Sequence, residues 1–117
     1  LYRERLKGVN GLDFIEAPAK HEKSAHHLFT VLLPKKADRD GVLHRLQEQG
    51  VGCAVNYRAV HTLTYFKQTY GYRPEDYPVA NDMGNRTISL PLYPKLSDKE
   101  AIYVADTLKG ILASRRA

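Results

Sequence analysis

The sequence contains few of the residues that build sulfur-based metal and redox sites. Its 117 residues include one cysteine, Cys53, and one methionine, and there is no tryptophan. A single cysteine excludes an internal disulfide framework and any CxxC metal motif. Cys53 lies within the small and apolar run GVGCAV, residues 50 to 55. A cysteine in such a run usually acts as a small buried hydrophobic residue.

Long apolar runs are absent as well. No stretch approaches the roughly 20 apolar residues needed to span a bilayer, and no signal peptide is recognisable. We therefore expect a cytoplasmic protein without a membrane partner. The chain opens at Leu1 instead of methionine, and residues 2 to 7 already have helical spacing. We expect a single domain, residues 1 to 117, cut from a longer protein, with residues 1 to 8 ending an inter-domain helix.

The charge balance is basic but not concentrated. The net charge is +5 and the pI is near 9.4, which favours an anionic partner such as nucleic acid, a phosphorylated small molecule or an acidic membrane. An RNA-recognition sheet would alternate basic and aromatic residues on a central strand. The most β-prone run, HHLFTVLLP (26 to 34), offers one phenylalanine among aliphatic residues. This pattern favours burial over nucleic-acid binding.

Familiar catalytic and metal-binding motifs are missing. The sequence has no GxSxG, no P-loop and no GxGxxG. His26 and His27 are adjacent and would point to opposite faces of a strand, and the other histidines lack ligand spacing, so no metal site is expected. A nucleophilic pair of Cys53 and His61 is disfavoured because Cys53 is predicted to lie inside a strand.

The apolar periodicity predicts an α+β fold with a small mixed or antiparallel sheet of three to four strands and helices packed on one face. Strands are predicted at 12 to 18 (an edge strand ended by Pro18), 26 to 34 (central), 51 to 57 and 88 to 94. Helices are predicted at 38 to 50, 62 to 72, 79 to 87 and 97 to 114. Phe66 and Tyr70 share one helical face, which is typical of core residues. Ser97 and Glu100 predict a capping box at the start of the last helix.

The segment NYRAVH, residues 56 to 61, follows the third predicted strand directly. Polar groups at the end of a strand are commonly site residues, because a rigid scaffold fixes their direction. Arg58 could hold a diphosphate through paired N–H donors, and His61 could hydrogen-bond a sugar hydroxyl or a phosphate. Tyr57 offers an apolar face with a polar tip. Equally, Arg58 could pair with a carboxylate, His61 could cap the helix starting at Thr62, and Tyr57 could belong to the core.

A set of motifs in this chain resembles the C-terminal small domain of the DegT-type nucleotide-sugar aminotransferases. These motifs are HHLFTVLLP (26 to 34), RLQEQGVGCAVNYRAVHTLTYF (45 to 66), YRPEDYPVA (72 to 80) and ISLPLYPKLSD (88 to 98). The resemblance extends from about residue 26 to residue 112. Each motif is unspecific alone, and the set in this order is specific.

The resemblance implies a dimeric enzyme of fold type I with active sites at the subunit interface. Such enzymes use pyridoxal 5′-phosphate (PLP) to move an amino group, usually from glutamate, onto a keto-deoxysugar nucleotide for polysaccharide, lipopolysaccharide or antibiotic synthesis. In the family, the Schiff-base lysine and most cofactor contacts belong to a large N-terminal domain. The resemblance therefore implies that this chain contains no catalytic residue and is inactive alone.

In the family, the loop that matches NYRAVH faces the active site and helps to bind the sugar nucleotide. The resemblance therefore implies substrate binding by Asn56, Tyr57, Arg58 and His61. Tyr57 and His61 match family residues, whereas Asn56 replaces a frequent histidine and Ala59 replaces the usual proline. Arg58 and Ala59 are similar to the subgroup of lipid A aminoarabinose aminotransferases.

Two other functions remain open from the residues. The chain could be a non-catalytic α+β module that binds an anionic partner or dimerises. It could also be the small domain of a DegT-like sugar dehydratase, because one fold supports more than one reaction. A lysine in the upstream domain would favour transamination, and a histidine there would favour dehydration.

Overall fold

The fold is built from three short strands and five α-helices in a computed structural model, which describes residues 1 to 15 and 19 to 114. The elements follow the order α1 (Tyr2–Leu6), β1 (Asp13–Phe14), β2 (Phe29–Leu32), α2 (Arg39–Glu48), α3 (Thr64–Tyr70), α4 (Pro78–Arg86), β3 (Thr87–Leu90) and α5 (Asp98–Ser114). Two single-turn 3-10 helices, Val60–Thr62 and Pro74–Asp76, flank α3. The end of the first strand, predicted at Pro18, lies outside the described residues.

The sheet is antiparallel with the strand order β1-β2-β3. Phe14 pairs with Val31, and Val31 pairs in turn with Ile88 on the other side. This register confirms the predicted α+β class, the predicted central position of the 26-to-34 strand and the edge position of β1. His26 and His27 precede β2, so the prediction that they point to opposite faces of a strand is wrong.

The helix α5 contributes most of the helical side of the core. Its apolar residues recur at helical spacing, and all six that the sequence singles out are buried: Ala101, Val104, Ala105, Leu108, Ile111 and Leu112. The capping box is confirmed, since Glu100 N donates to Ser97 Oγ at 3.1 Å and Ser97 N donates to Glu100 Oε2 at 2.8 Å. Both α1 and α2 pack against α5.

Arg86, the last residue of α4, is buried and connects the sheet to α4 through hydrogen bonds. Only 8% of it is exposed. Its Nε donates to the Leu33 carbonyl at 2.7 Å, and its two terminal nitrogens donate to Asp13 and Asp82 at 2.8 and 2.9 Å. A buried guanidinium is tolerated because each of its three nitrogens donates to an acceptor and two of these acceptors are carboxylates. Arg86 thereby connects β1, the end of β2 and α4.

Two predicted elements differ from the structure. The expected strand at 51 to 57 is reduced to one bridge, in which Ala54 pairs with Ser89. The ladder stops there because the backbone N–H of Thr87, the next donor in register, bonds to the Met83 carbonyl at the end of α4, and only the Thr87 hydroxyl contacts the Asn56 carbonyl, at 3.5 Å. The expectation that Phe66 and Tyr70 are core residues is also wrong. Their rings stack at 6.2 Å, but α3 buries no residue.

Candidate functional site

The site segment, residues 56 to 61, runs from the edge of the sheet to a short 3-10 turn. Two residues before it, Ala54 exchanges both backbone hydrogen bonds with Ser89 of β3, at 3.3 and 2.8 Å. At the far end, Thr62 donates from its backbone nitrogen and from Oγ1 to the Ala59 carbonyl, at 3.0 and 2.7 Å. The start of the segment is therefore fixed to the sheet, whereas its far end closes in a local turn and is held by the contact of His61 Nε2 with the Pro74 carbonyl at 3.0 Å. Side chains between two such anchors keep a defined direction.

Tyr57 and Arg58 are the side chains that the site segment presents to solvent. Tyr57 is 72% exposed, so the alternative that places it in the core is wrong. Arg58 is also exposed, whereas Asn56 is half-buried. The sequence predicts all three as substrate-binding residues, and the structure places them consecutively on one exposed turn of chain. A phenol and a guanidinium there could contact a sugar and a phosphate without rearrangement of the core.

The guanidinium of Arg58 makes no hydrogen bond or ion pair within residues 1 to 15 and 19 to 114. Its nearest electrostatic partner is Asp40, which is already bonded to Arg39 at 2.7 Å. The hydrogen bond and the charge of Arg39 hold the pKa of Asp40 below its usual value, and Arg58 adds a smaller contribution. Direct pairing of Arg58 with a carboxylate, the alternative interpretation, does not occur among these residues. Its five N–H donors remain available to an external anion.

His61 turns away from this exposed surface. It is 6% exposed, and its Nε2 lies 3.0 Å from the Pro74 carbonyl oxygen. Because a carbonyl oxygen only accepts, Nε2 carries the proton. The ring meets Tyr77 edge-on, with centroids 5.0 Å apart. The alternative that His61 caps the following helix is wrong, since α3 begins at Thr64 and has no side-chain cap.

A cavity of about 520 Å³ opens beside His61. Its walls are mainly aromatic and come from the two 3-10 turns, α3 and the start of α4: Val60, His61, Phe66, Tyr70, Tyr72, Tyr77 and Ala80. Successive rings from Phe66 to His61 are in contact, with centroid separations between 5.0 and 6.2 Å. The charge of Tyr77 and a hydrogen bond to it raise the pKa of Tyr72. The tyrosine-rich run from 65 to 77 is the sequence signal for this cavity, which the motif analysis missed.

Arg39 is a second residue that the motif analysis missed. It lies at the start of α2 and is 9% exposed. Its Nη1 donates to the carbonyls of Gly84 and Thr87, at 2.8 and 3.2 Å. Gly84 belongs to the last turn of α4, where intrahelical donors are missing, and Thr87 is the residue that directly follows the helix. Arg39 therefore caps α4 from α2, directly behind the site segment.

Two larger cavities lie elsewhere and share no residue with the site segment. One, of about 690 Å³, is lined by Val9, Asn10, Gly11, Pro34, Lys35, Lys36, Lys109, Gly110, Leu112 and Ala113. The other, of about 600 Å³, lies between residues 50 to 52, the chain after β3 and the first turns of α5. No group of three or more histidine, cysteine or acidic residues in the described ranges could hold a metal ion.

Residues 1 to 109 match the model of the DegT/DnrJ/EryC1/StrS aminotransferase family. The chain belongs to this family. An uncharacterised protein of Methanocaldococcus jannaschii is 32% identical over 119 aligned positions, which cover 99% of this chain and 31% of that protein. The spore coat polysaccharide biosynthesis protein SpsC of Bacillus subtilis is 30% identical over 95% of this chain and 29% of its own length. The chain thus spans about three tenths of the length of these relatives.

Solved structures of family members have the same fold. A Streptococcus pneumoniae protein described as a sugar aminotransferase, in its PMP form, superposes with a TM-score of 0.85 at 26% identity. The match covers 97% of this chain and 28% of that one. Helicobacter pylori PseC, at 22% identity, has a TM-score of 0.84 over 97% of this chain and 30% of its own, and supports the fold alone. The neighbours confirm the predicted α+β small domain of PLP-dependent sugar aminotransferases.

The residues present do not form a PLP site by themselves. PLP enzymes hold the cofactor through a lysine Schiff base, which requires a partly desolvated amine. All nine lysines of this chain are exposed. Within the described residues, no helix is long and apolar enough to cross a membrane.

Proposed function

We propose that this chain is the C-terminal small domain of a PLP-dependent nucleotide-sugar aminotransferase. The observation that carries the proposal is the exposed pair Tyr57 and Arg58 on a segment held to β3 at its start, in a chain of an aminotransferase family whose structural neighbours include a sugar aminotransferase. An unpaired guanidinium in this position suits a diphosphate, because it offers two parallel N–H donors to phosphate oxygens. The substrate class is therefore a nucleotide diphosphate-linked keto sugar.

In the proposed reaction, an amino group passes from glutamate to the keto carbon of the sugar. PLP supplies the electron sink and is bound by a large domain outside these residues. The role of this chain is to bind and orient the substrate: Arg58 holds the diphosphate, Tyr57 covers the sugar or nucleotide, and Asn56 offers an amide. His61 supports the segment through the hydrogen bond between its Nε2 and the Pro74 carbonyl. The complete enzyme is proposed to be a cytoplasmic homodimer, and the isolated chain is expected to be inactive.

The test uses the full-length protein with glutamate and a panel of keto-sugar nucleotides. Amino transfer with the absorbance of bound PLP is the expected result. Arg58→Lys keeps the charge but loses the paired donors, so we expect KM for the nucleotide sugar to rise about tenfold or more while kcat changes little. Arg45→Lys is the matched control, because Arg45 lies on α2 and bonds only to Ser114 and Ile111 at the end of α5.

Two outcomes would contradict the proposal. A full-length protein that dehydrates the sugar nucleotide without amino transfer would assign this chain to the dehydratase branch. Equal KM values for the wild type and for Arg58→Lys would remove Arg58 from the substrate site.

A further inference from the structure

Gly84 lies inside α4, a position where glycine is unfavourable and where its conformational freedom is not used. Its backbone is not in the left-handed region, so any L residue could adopt its conformation. Glycine is less favourable in a helix interior than every residue except proline. A reason other than backbone conformation must therefore account for glycine at this place.

That reason is the close approach of α4 to the site segment. A Cβ atom at Gly84 would lie 2.5 Å from the backbone nitrogen of Ala59 and 3.2 Å from its Cα and Cβ. The first distance is far below any real carbon-to-nitrogen contact, and the obstacle is backbone, which cannot rotate away as a side chain can. Any side chain at 84 would force Ala59 and α4 apart.

Ala59 directly follows Arg58 in the chain, so the position of the Ala59 backbone determines the position of the Arg58 backbone from which the guanidinium extends. The bridge at Ala54 holds the start of the segment to β3, Thr62 closes the turn onto the Ala59 carbonyl, and the close approach of Gly84 supports the middle at Ala59. From the opposite side, Arg39 holds the Gly84 carbonyl at 2.8 Å. The chain of contacts runs from α2 through α4 to the segment that presents Arg58.

We propose that Gly84 is a positioning residue for substrate binding. Because Gly84 has no side chain, the site segment packs directly against α4, and this contact sets the direction of Arg58. The proposal rests on the proposed function of that segment. Gly84 touches no substrate and acts only through Ala59 and Arg58. Arg39 assists by fixing the last turn of α4.

The chain supplies a matched control in Gly110. It is also a glycine inside an α-helix, in α5, and a Cβ atom there would meet nothing within 4 Å. Helix propensity treats Gly84→Ala and Gly110→Ala alike and favours alanine in both. The contact with Ala59 distinguishes them, so a difference between the two variants measures the positioning role.

The experiment compares these variants in the full-length protein with three measurements. In Gly84→Ala we expect KM for the nucleotide sugar to rise about tenfold or more with little change in kcat, since small displacements of a binding group cost this much. The affinity for inorganic pyrophosphate, measured by titration calorimetry, should fall about tenfold. Hydrogen exchange at the amides of residues 57 to 60 should become about tenfold faster. Gly110→Ala should match the wild type in all three.

The proposal is overturned if Gly84→Ala retains wild-type KM, pyrophosphate affinity and exchange rates. Should Gly84→Ala fail to fold, Arg39→Lys decides, because lysine cannot hold the Gly84 and Thr87 carbonyls and Asp40 with one planar group. It should change the same three quantities in the same direction, and an unchanged variant contradicts the proposal. If the wild type and Arg58→Ala bind pyrophosphate equally weakly, the proposed function is refuted. The hydrogen-exchange rates still test the contact between Gly84 and Ala59 in that case.

Discussion

The helices α5 and α3 belong to two regions of the chain that use apolar residues in opposite ways. In α5, the apolar face is buried against α1 and α2, and Ala105 and Leu108 are 0% exposed. In α3, no residue is buried, although three of its seven residues from Thr64 to Tyr70 are aromatic. The first pattern stabilises a fold. The second places apolar surface where water reaches it.

The exposed region extends from 57 to 83. Among the described residues, eight of the 14 exposed large hydrophobic side chains fall in it: Tyr57, Val60, Leu63, Tyr65, Tyr70, Tyr77, Val79 and Met83. Such a concentration marks an interaction or ligand surface more often than a free surface. The site segment opens this region. We therefore expect stability and ligand binding to depend on different parts of the chain, and the following variants are chosen to test that division.

Truncation of one core residue and one exposed aromatic residue should give the largest difference. Leu108→Ala removes a fully buried side chain from α5, so we expect the free energy of unfolding to fall by about 2–5 kcal/mol. Tyr70→Ala removes a 59% exposed ring from α3 and should cost under about 1 kcal/mol. Urea unfolding followed by circular dichroism measures both. Equal losses would mean that the exposed region is as much a part of the core as α5.

Two arginines extend the comparison to polar groups. Arg86→Met leaves the buried Leu33 carbonyl without its 2.7 Å donor, and we expect a loss of about 1–3 kcal/mol. Arg73→Met removes an exposed bond to Asp76 beside the aromatic cavity and should cost under about 1 kcal/mol. The same unfolding experiment reports both values. If the Arg73 variant were the less stable of the two, the turn from 74 to 76 would hold more of the fold than its exposure indicates.

Gly110→Ala is expected to have a smaller effect of opposite sign. The added methyl group meets nothing, so the gain in helix propensity should raise the free energy of unfolding by about 0.5–1 kcal/mol. A higher midpoint of thermal unfolding is the measurement. A lower midpoint would show that α5 packs at Gly110 against a part of the protein outside these residues.

The elements that could be predicted from sequence are those stabilised by local signals. The capping box of Ser97 and Glu100 and the apolar spacing of α5 fix that helix without long-range information. In the same way, Asp38 at the start of the predicted helix caps α2, since its carboxylate accepts from Gly41 N at 3.1 Å. The failures depend on distant partners. The backbone of Thr87 determines whether residues 51 to 57 continue a ladder with β3. The position of Ala59 depends on its close contact with Gly84, which lies 25 positions further along the chain.

For the site, sequence reasoning identified the residues of the segment but not the contacts that hold the segment in place. The segment NYRAVH was identified from residue types and from the family resemblance, and Tyr57 and Arg58 are indeed exposed. The inward direction of His61 was not predictable, because the Pro74 carbonyl that fixes it follows a separate helix. Arg39 looks like an ordinary surface arginine at the start of an amphipathic helix. Only the position of the α4 carbonyls reveals its buried role.

The ionisation of Tyr2 tests whether α1 belongs to the buried region. Burial, with a smaller contribution from Tyr93, raises the pKa of Tyr2 to about 12, and its hydroxyl donates to the Pro91 carbonyl at 2.7 Å. A folded-state pKa above the unfolded value of 10.0 means that the folded state keeps its proton longer. The stabilisation from Tyr2 is therefore complete below pH 10 and is lost as the pH rises toward 12. Tyrosinate absorbance during an alkaline titration should show a phase at about pH 12 that Tyr2→Phe removes. If Tyr2→Phe instead removed an early phase, Tyr2 would be solvent-accessible and α1 would not belong to the core.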